Sequence, residues 1–485
     1  MTFRMTSLSM ANYAAQYSAK FNASIAKYQM QITSGLKLHR PSEDPVGYRY
    51  VISLSARLEE LGSEAASVSD AQAKLNFGVS NLTDANNLIT KAKILTQQGI
   101  QALDQSERNG LATEVENLLE SLKVIALAKN AGTYLYGGTR TDVPPFSFNN
   151  PQVTGGTLDV KYNGSAQASR AHIGQAIEID TYYSGKEVFG ATDRQPTLLI
   201  GKTGAKAGTG TDTLVGRATL QVKHTSTTYQ PGSGITAGTD SAAKDTIIGP
   251  PGKYQLQIID TSGDGSSGTI SLNGEPPITF TNADTNLQIT GPNGQKIYVN
   301  TTAITAGFNG TVDLTANGTL SVDGGLTTLP IDFSANQAVV DSTSGRLVHI
   351  NSANIETVGE DYLEFPGSSN AFQVLYELVQ DLRGSRQLSN SELAQSLDRR
   401  LGELGATSDQ LLNIVGQQSA SLATLQQLDS RISDFQLLTA EQLNGVQATD
   451  IPTAVLRMKN DQTLLEYTYA VTAEVMSVQL INFLR

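Results

Sequence analysis

Apolar positions recur with two different periods along this chain, and the change of period divides it into three. Met10, Ala14, Tyr17, Phe21, Ile25, Tyr28 and Ile32 step by three or four, which places them on one face of a helix. Ser34-Gly35 supplies a stop, with glycine suited to the left-handed position after a helix. Arg40-Pro41-Ser42-Glu43-Asp44-Pro45 cannot be helix interior, because its prolines remove donors and clash with preceding carbonyls. Asp44 as N-cap and Pro45 at the first helical position open a second helix. That helix carries Leu54, Leu58, Leu61, Ala65, Val68, Leu75, Val79 and Leu82 on heptad-like steps, with Gln72 the weak position. A run from Pro45 to about Leu103 predicts roughly 90 Å of helix, a rod packed lengthwise on partner helices.

After a polar turn at Asp104–Gly110, Leu111, Val115, Leu118, Leu119, Leu122 and Ile125 predict a third helix, ending at Asn130-Ala131-Gly132. The C-terminal part mirrors this. Phe372, Leu375, Leu378, Val379 and Leu382 mark a short amphipathic helix, and Leu411, Val415, Leu422, Leu425, Leu428, Ile432 and Phe435 a long one. Asp450 and Pro452 precede a last helix with Leu464, Val471, Val475 and Val478 on one seam and Leu465, Tyr469, Met476 and Phe483 beside it. So wide an apolar arc needs a partner to cover it.

The middle changes to period two. Residues 254–258, 311–314 and 319–322 alternate, and Asn273-Gly274, Asn293-Gly294, Asn309-Gly310 and Asn317-Gly318 read as hairpin turns. Residues 191–345 hold 22 of the 44 glycines, against nine in 1–150 and seven in 346–485. The expected fold is α+β, a long antiparallel helical bundle or coiled coil from both chain ends with β-rich domains inserted. Its expected segments are an N-terminal assembly helix (1–45), the first half of a helical core with a short β segment (46–190), a β insert (191–345), the second half of the core (346–450) and a C-terminal assembly helix (451–485). The two end helices are expected to pair with each other and with neighbouring copies. Tyr17, Phe21, Ile25, Tyr28, Ile32, Leu464, Val471, Val475, Val478 and Phe483 are the candidate assembly interface.

Composition removes most chemistry. With no cysteine there is no disulfide, thiolate nucleophile or cysteine-ligated metal, and a net charge of −12 argues against tracking nucleic-acid phosphates. No run approaches a membrane span, and no apolar segment of secretory type follows the first residues. His39, His172, His224 and His349 are far apart and read as surface or packed residues. Asp260 to Gly265 matches the opening of a calcium loop, but Ser271 replaces its closing glutamate. Gly201-Lys202-Thr203 ends like a phosphate loop without the upstream glycine, and Gly232 to Ala237 is a loose dinucleotide pattern lacking its helix. No nucleophile elbow occurs, so the reading is of a protein without enzymatic activity or cofactor.

Two motifs carry a resemblance. Ile32 to Gly35 with Arg40-Pro41-Ser42-Glu43-Asp44-Pro45 resembles a turn of the bacterial flagellar axial family. Tyr134-Leu-Tyr136-Gly137-Gly138-Thr139 with Pro145-Phe146 is similar to that family's aromatic-Gly-Gly segment, and Val160 to Phe189 and Ser477 to Leu484 follow its pattern. The likeness covers about residues 1–190 and 346–485, and it is nearer to the hook-associated junction members than to flagellin. It implies a structural adaptor between hook and filament, exported by the flagellar type III apparatus and self-assembling into a ring outside the cell. The implied partners are other copies, the first hook-associated protein, flagellin and a cytoplasmic export chaperone on the last helix, with no nucleic acid or membrane insertion. The alternatives are a filament subunit, or an axial protein whose β insert is an adhesion or glycan-binding module.

Overall fold

The computed structural model describes residues 7–150, 158–174 and 177–483, with side chains at 7, 8 and 475–483 left aside. Eight helices are described: α1 (Ser7–Ser34), α2 (Pro45–Gln101), α3 (Gln105–Ala126), α4 (Gly185–Phe189), α5 (Ser241–Lys244), α6 (Ala371–Leu382), α7 (Asn390–Gln447) and α8 (Ile451–Phe483). Two compact units form, one of residues 1–73, 171–179 and 420–485, the other of 74–170 and 180–419. These bounds differ from the expected segments because α2 and α7 continue unbroken past them, each contributing to both units.

The expected start of α2 holds: Asp44 Oδ1 accepts hydrogen bonds from Val46 N (3.1 Å) and Gly47 N (2.9 Å). The expected polar turn at Asp104–Gly110 needs correction: Asp104 caps α3 by accepting from Glu107 N at 2.7 Å, so residues 105–110 are already helical. Along α2, Leu61, Val68, Leu75, Leu82 and Ile89 are buried at seven-residue intervals, and so are Ala71, Gly78, Ala85 and Ala92. Ala71 takes the inward place beside Gln72, which explains the weak position in the pattern. On α7, Leu404, Leu411, Gln418, Leu425 and Ile432 repeat at seven. The third helix ends at Ala126, short of the expected glycine, because Leu127 N and Ala128 N already close its last turn.

In the larger unit, α2, α3, α6 and α7 share one apolar core. The aromatic-Gly-Gly segment enters it: Tyr136 and Phe146 lie against Phe189 at ring-centroid distances of 5.1 and 6.0 Å, and Phe372 of α6 meets Phe146 at 5.2 Å. Gly138 is required here. Its φ is +64°, and a Cβ would fall 2.4 Å from the carbonyl oxygens of Ser165 and Gln167.

The β region is built on an antiparallel sheet ordered 278–281, 267–272, 249–260, 309–321, 216–229, 359–365 and 198–200, flanked by two three-stranded antiparallel sheets, one ordered 236–237, 296–300 and 287–290, the other 337–340, 347–351 and 206–207. It covers two apolar cores, one around Leu256, Ile270 and Ile297, the other around Leu220, Ile350 and Phe365. Two expectations need correction. The β region continues past residue 345, since Gly359–Phe365 pairs along its whole length with the strand Gly216–Tyr229. Asn309-Gly310 and Asn317-Gly318 are not hairpin turns but lie inside the strand Asn309–Ser321. Gly318 sits at a register shift where a Cβ would meet Ile248 Cδ1 at 2.6 Å, so glycine there serves packing. Asn273-Gly274, with both φ positive, and Asn293-Gly294 do make turns.

Sheet alternation sends Leu220, Leu363 and Phe365 into the β core, and Arg217 and Glu364 to the opposite face. That face meets α6 and α7, whose Glu377, Asp381, Ser396 and Arg400 are all buried. Arg217 Nη1 bonds Asp381 at 2.9 Å, and Arg386 bonds both Asp381 and Glu364 at 2.6 Å. Arg399 holds Glu364 at 2.6 Å, while Arg400 reaches Glu377 at 2.6 Å and pairs with Glu403. Four arginines thus face four carboxylates. The surrounding guanidinium groups hold Glu364 down to about 2 against the desolvation that opposes them, and Asp381 is likewise lowered.

A carboxylate lowered on folding stabilises above its unfolded value and loses that contribution as pH falls through its folded value. For Glu364 the window runs from about pH 4.5 to about 2, on the order of 3 kcal/mol. Acid titration of the larger unit's unfolding free energy should therefore show a steep loss over that range, shallower in Glu364→Gln. Phe372→Ala should lower stability by about 3–5 kcal/mol, read by denaturant unfolding.

Candidate assembly interface

The smaller unit is built around the two terminal helices and the turns that follow and precede them. Gly35, at φ +72°, ends α1 in the left-handed conformation, and its N–H returns to Gln31 O at 2.9 Å. Glu43 Oε2 accepts from His39 N at 2.8 Å and from Arg40 N at 3.4 Å, closing the loop around Pro41 and Ser42. These backbone donors lower the Glu43 carboxyl. The two turns then meet across the chain. Lys37 N donates to Gln447 O at 2.7 Å, Thr449 N donates to Gly35 O at 2.8 Å, and Leu36 bridges Ala448. Gln31, itself buried, donates from Nε2 to Lys37 O at 2.8 Å. Asp450 caps α8 through Thr453 N and Oγ1.

From this clasp α1 and α8 run side by side in opposite directions. The half-buried positions of α1 include Ala11, Ala14, Ser18, Phe21, Ile25, Tyr28 and Ile32, with Ser9 and Ser24 beside them. Those of α8 include Ala454, Met458, Asp461, Leu465, Thr468 and Thr472, with Ala454 fully buried. Both sets step alternately by three and four, so residues whose numbers sum to 486 stand level: Ile32 with Ala454, Tyr28 with Met458, Phe21 with Leu465, Ala14 with Thr472. Ser24 Oγ donates to Asp461 Oδ2 at 2.5 Å within this seam. Near the clasp the seam is apolar; farther out it consists of alanine, serine and threonine.

The sequence-predicted interface residues divide between two faces. Phe21, Ile25, Tyr28 and Ile32 lie in the seam, but Tyr17, at 52 % exposure, does not. A 3.5-residue repeat followed back from Phe21 passes through Ser18, Ala14 and Ala11, leaving Met10, Tyr13 and Tyr17 on an outer stripe. On α8, Leu464 (46 %) and Val471 (59 %) are likewise outside, with Tyr467 between them. The expected seam through Leu464 and Val471 is therefore one position off the pairing face, and it forms an outer stripe of its own. The side chains of Val475, Val478 and Phe483 lie outside those described. The turn residues Gly35, Arg40, Pro41, Ser42, Asp44 and Pro45 come together at the start of α2, whereas Tyr136, Gly137, Gly138 and Phe146 are buried in the larger unit's core, with Tyr134 half-buried beside Lys129. Sequence reasoning missed the clasp partner Gln447–Thr449 and the buried arginine network; two carboxylates four residues apart on the apolar helix α6 were the available signal for the latter.

The other chemical candidates resolve into local structure. The backbone N–H groups of Lys202 and Thr203 point at Asp361 Oδ1 (2.8 and 3.2 Å), so a carboxylate fills that cradle. Asp260 accepts from the N–H groups of Gly263, Gly265 and Gly307, and Asp264 from Ser266 N, donors that occupy the oxygens a cation would need. The Ser262 hydroxyl, which donates to both, together with these backbone donors lowers both carboxyls to about 2. His39 contacts Ser34, His172 contacts Glu178, His224 contacts Thr227, and His349 contacts Asp212.

Residues 5–141 match the family model of the bacterial flagellin N-terminal helical region. The flagellar hook-associated protein 3 of Escherichia coli (strain K12) is 26% identical over 157 residues, 31% of this chain and 49% of that protein. The match thus spans about half the length of that curated relative. Among solved structures, FlgL of Xanthomonas campestris (space group C2) is 14% identical, with 80% of this chain and 98% of that one covered at a TM-score of 0.41. The flagellar hook associated protein-3 of Legionella pneumophila is 14% identical, with 82% and 98% covered at 0.42.

Leu465→Ala removes the partner of Phe21 at a half-buried layer. Helicity of the terminal pair should fall and proteolysis of residues 9–32 should quicken, while the larger unit's unfolding midpoint stays in place.

Proposed function

We infer, from a flagellin-type N-terminal helical region over residues 5–141 and a terminal helix pair with two uncovered apolar stripes, that this chain is a structural subunit joining the flagellar hook to the filament. The observation that carries the reading is the pairing of a thin seam with exposed Met10, Tyr13, Tyr17, Leu464, Tyr467 and Val471. Exposed apolar side chains of that kind gain free energy when a partner covers them, and most of a helix's stability in a protein comes from packing its apolar face. Neighbouring copies cover the stripes in a ring, with the first hook-associated protein on one side and flagellin on the other. The hook-associated relative from Escherichia coli supports this choice over a filament subunit.

Export follows the same logic. A chain without cysteine passes unfolded through the flagellar type III channel with no disulfide to reduce or reform, and a cytoplasmic chaperone shields the last helix until the subunit reaches the outside. Coupled folding and assembly then stabilises the termini at the growing tip.

Val471→Asp tests the interface. In the free chain the carboxylate stays in water and stability should shift by no more than about 0.5 kcal/mol. At a subunit contact it would be desolvated at a cost of several kcal/mol, so incorporation into flagella should be lost. Normal filaments in that variant would refute the assignment. Deleting the gene should leave hooks intact and release flagellin into the medium with no filament attached; hooks bearing filaments would overturn the junction role.

A further inference from the structure

The seam between α1 and α8 is poorly suited to specify its own stagger. Sliding α8 by one heptad, about 10 Å, would set Phe21 opposite Met458, Ile25 opposite Ala454 and Ala14 opposite Leu465. Each of these layers still pairs an apolar or small residue with another. A coiled coil fixes register by bulky layers or a distinctive polar one; the polar tie of this seam is Ser24 to Asp461, which the slip would replace by another hydroxyl at Ser18, and beyond Phe21 it has only Ser18–Thr468 and Ala14–Thr472. The stagger matters because it decides which outer residues stand level.

The geometry points to the two clasped turns, Gly35–Lys37 and Gln447–Thr449, as the positioning element that sets the stagger of the terminal helices and so composes the outer surface. The consequence for assembly rests on the function proposed above; the stagger itself does not. The two backbone hydrogen bonds pair Lys37 with Gln447 and Gly35 with Thr449, residue numbers that sum to 484 in both cases. Ser24 and Asp461, 11 residues farther along α1, still obey nearly the same sum. Gly35 directly follows α1, and Ile451 begins α8 two residues after Thr449, so an offset set in the turns passes into the helices with little slack. Backbone pairing of this kind is lost on any slip, whereas the side-chain seam tolerates a slip of seven. Buried Gln31 adds a further tie by donating to Lys37 O.

The absence of cysteine allows a direct test on the purified full chain. The pair Ser24→Cys with Asp461→Cys reports the observed stagger; Ser24→Cys with Thr468→Cys, and Ser24→Cys with Ala454→Cys, report one-heptad slips. Under mild oxidation the first pair should form its disulfide at least tenfold faster than the others. Thr449→Pro removes the donor to Gly35 O, and Lys37→Pro independently removes the donor to Gln447 O. In either background the slipped pairs should rise to rates within a few-fold of the first. Three results would overturn the proposal: equal rates for all pairs with the turns intact, an unchanged preference for 24–461 in both proline variants, or loss of every cross-link in both, which would make the clasp a simple tether. None of these bears on the Val471→Asp test, which reads incorporation rather than stagger.

Discussion

A helix buried on every side cannot carry carboxylates unless cations are brought to it. Helix α6 holds Glu377 and Asp381 in such a position, and the larger unit is arranged around that demand. Arg217 comes from the sheet, Arg386 from the turn after α6, and Arg399 and Arg400 from α7. Because sheet alternation puts Arg217 and Glu364 on the same face, the strand pair and the two helices become one ionic cluster. Such clusters gain little over apolar packing, but each is severely destabilised by the loss of one member. The β region is thereby seated on the helical core by specific partners rather than by apolar area alone, which suits a part inserted into a bundle.

The terminal pair follows the opposite design. Its seam near the turns is apolar and its distal half is small and polar, while larger apolar side chains face outward. A pair that buried all of its apolar surface would be stable alone and would have little left to offer a neighbour. Tyr17, Leu464 and Val471 stay outside the seam, so the pair buries less apolar surface than it carries. The clasp of Gly35 and Lys37 with Thr449 and Gln447 supplies through backbone hydrogen bonds what the seam does not supply through side chains.

Much of this was legible from residue order. Seven-residue repeats, Gly35 and Asp44-Pro45 locate the long helices and their ends, since these signals act within one or two turns of the chain, whereas Asp104 reads as part of a turn and not as the cap it is. The α+β class followed from the change of period at the middle. Less legible were the β boundary at Phe365 and the strand that absorbs Asn309-Gly310 and Asn317-Gly318, because a glycine at a bulge and a glycine in a turn look alike without the partner strand. The burial of the terminal helices was half legible: Phe21, Ile25, Tyr28 and Ile32 are half-buried along the seam, whereas Tyr17, Leu464 and Val471 are equally apolar but exposed.

Local order determined which segments are helices, where they start, and that their ends carry more apolar surface than a lone helix can hide. Tertiary structure decided which of those apolar residues face the other helix and which face outward. A stripe one residue wide of the seam has the same composition and nearly the same period, so only the partner helix selects between them. The same holds for the arginine network, whose members are up to 186 positions apart between Arg217 and Glu403 and meet only when the sheet is laid on α6 and α7.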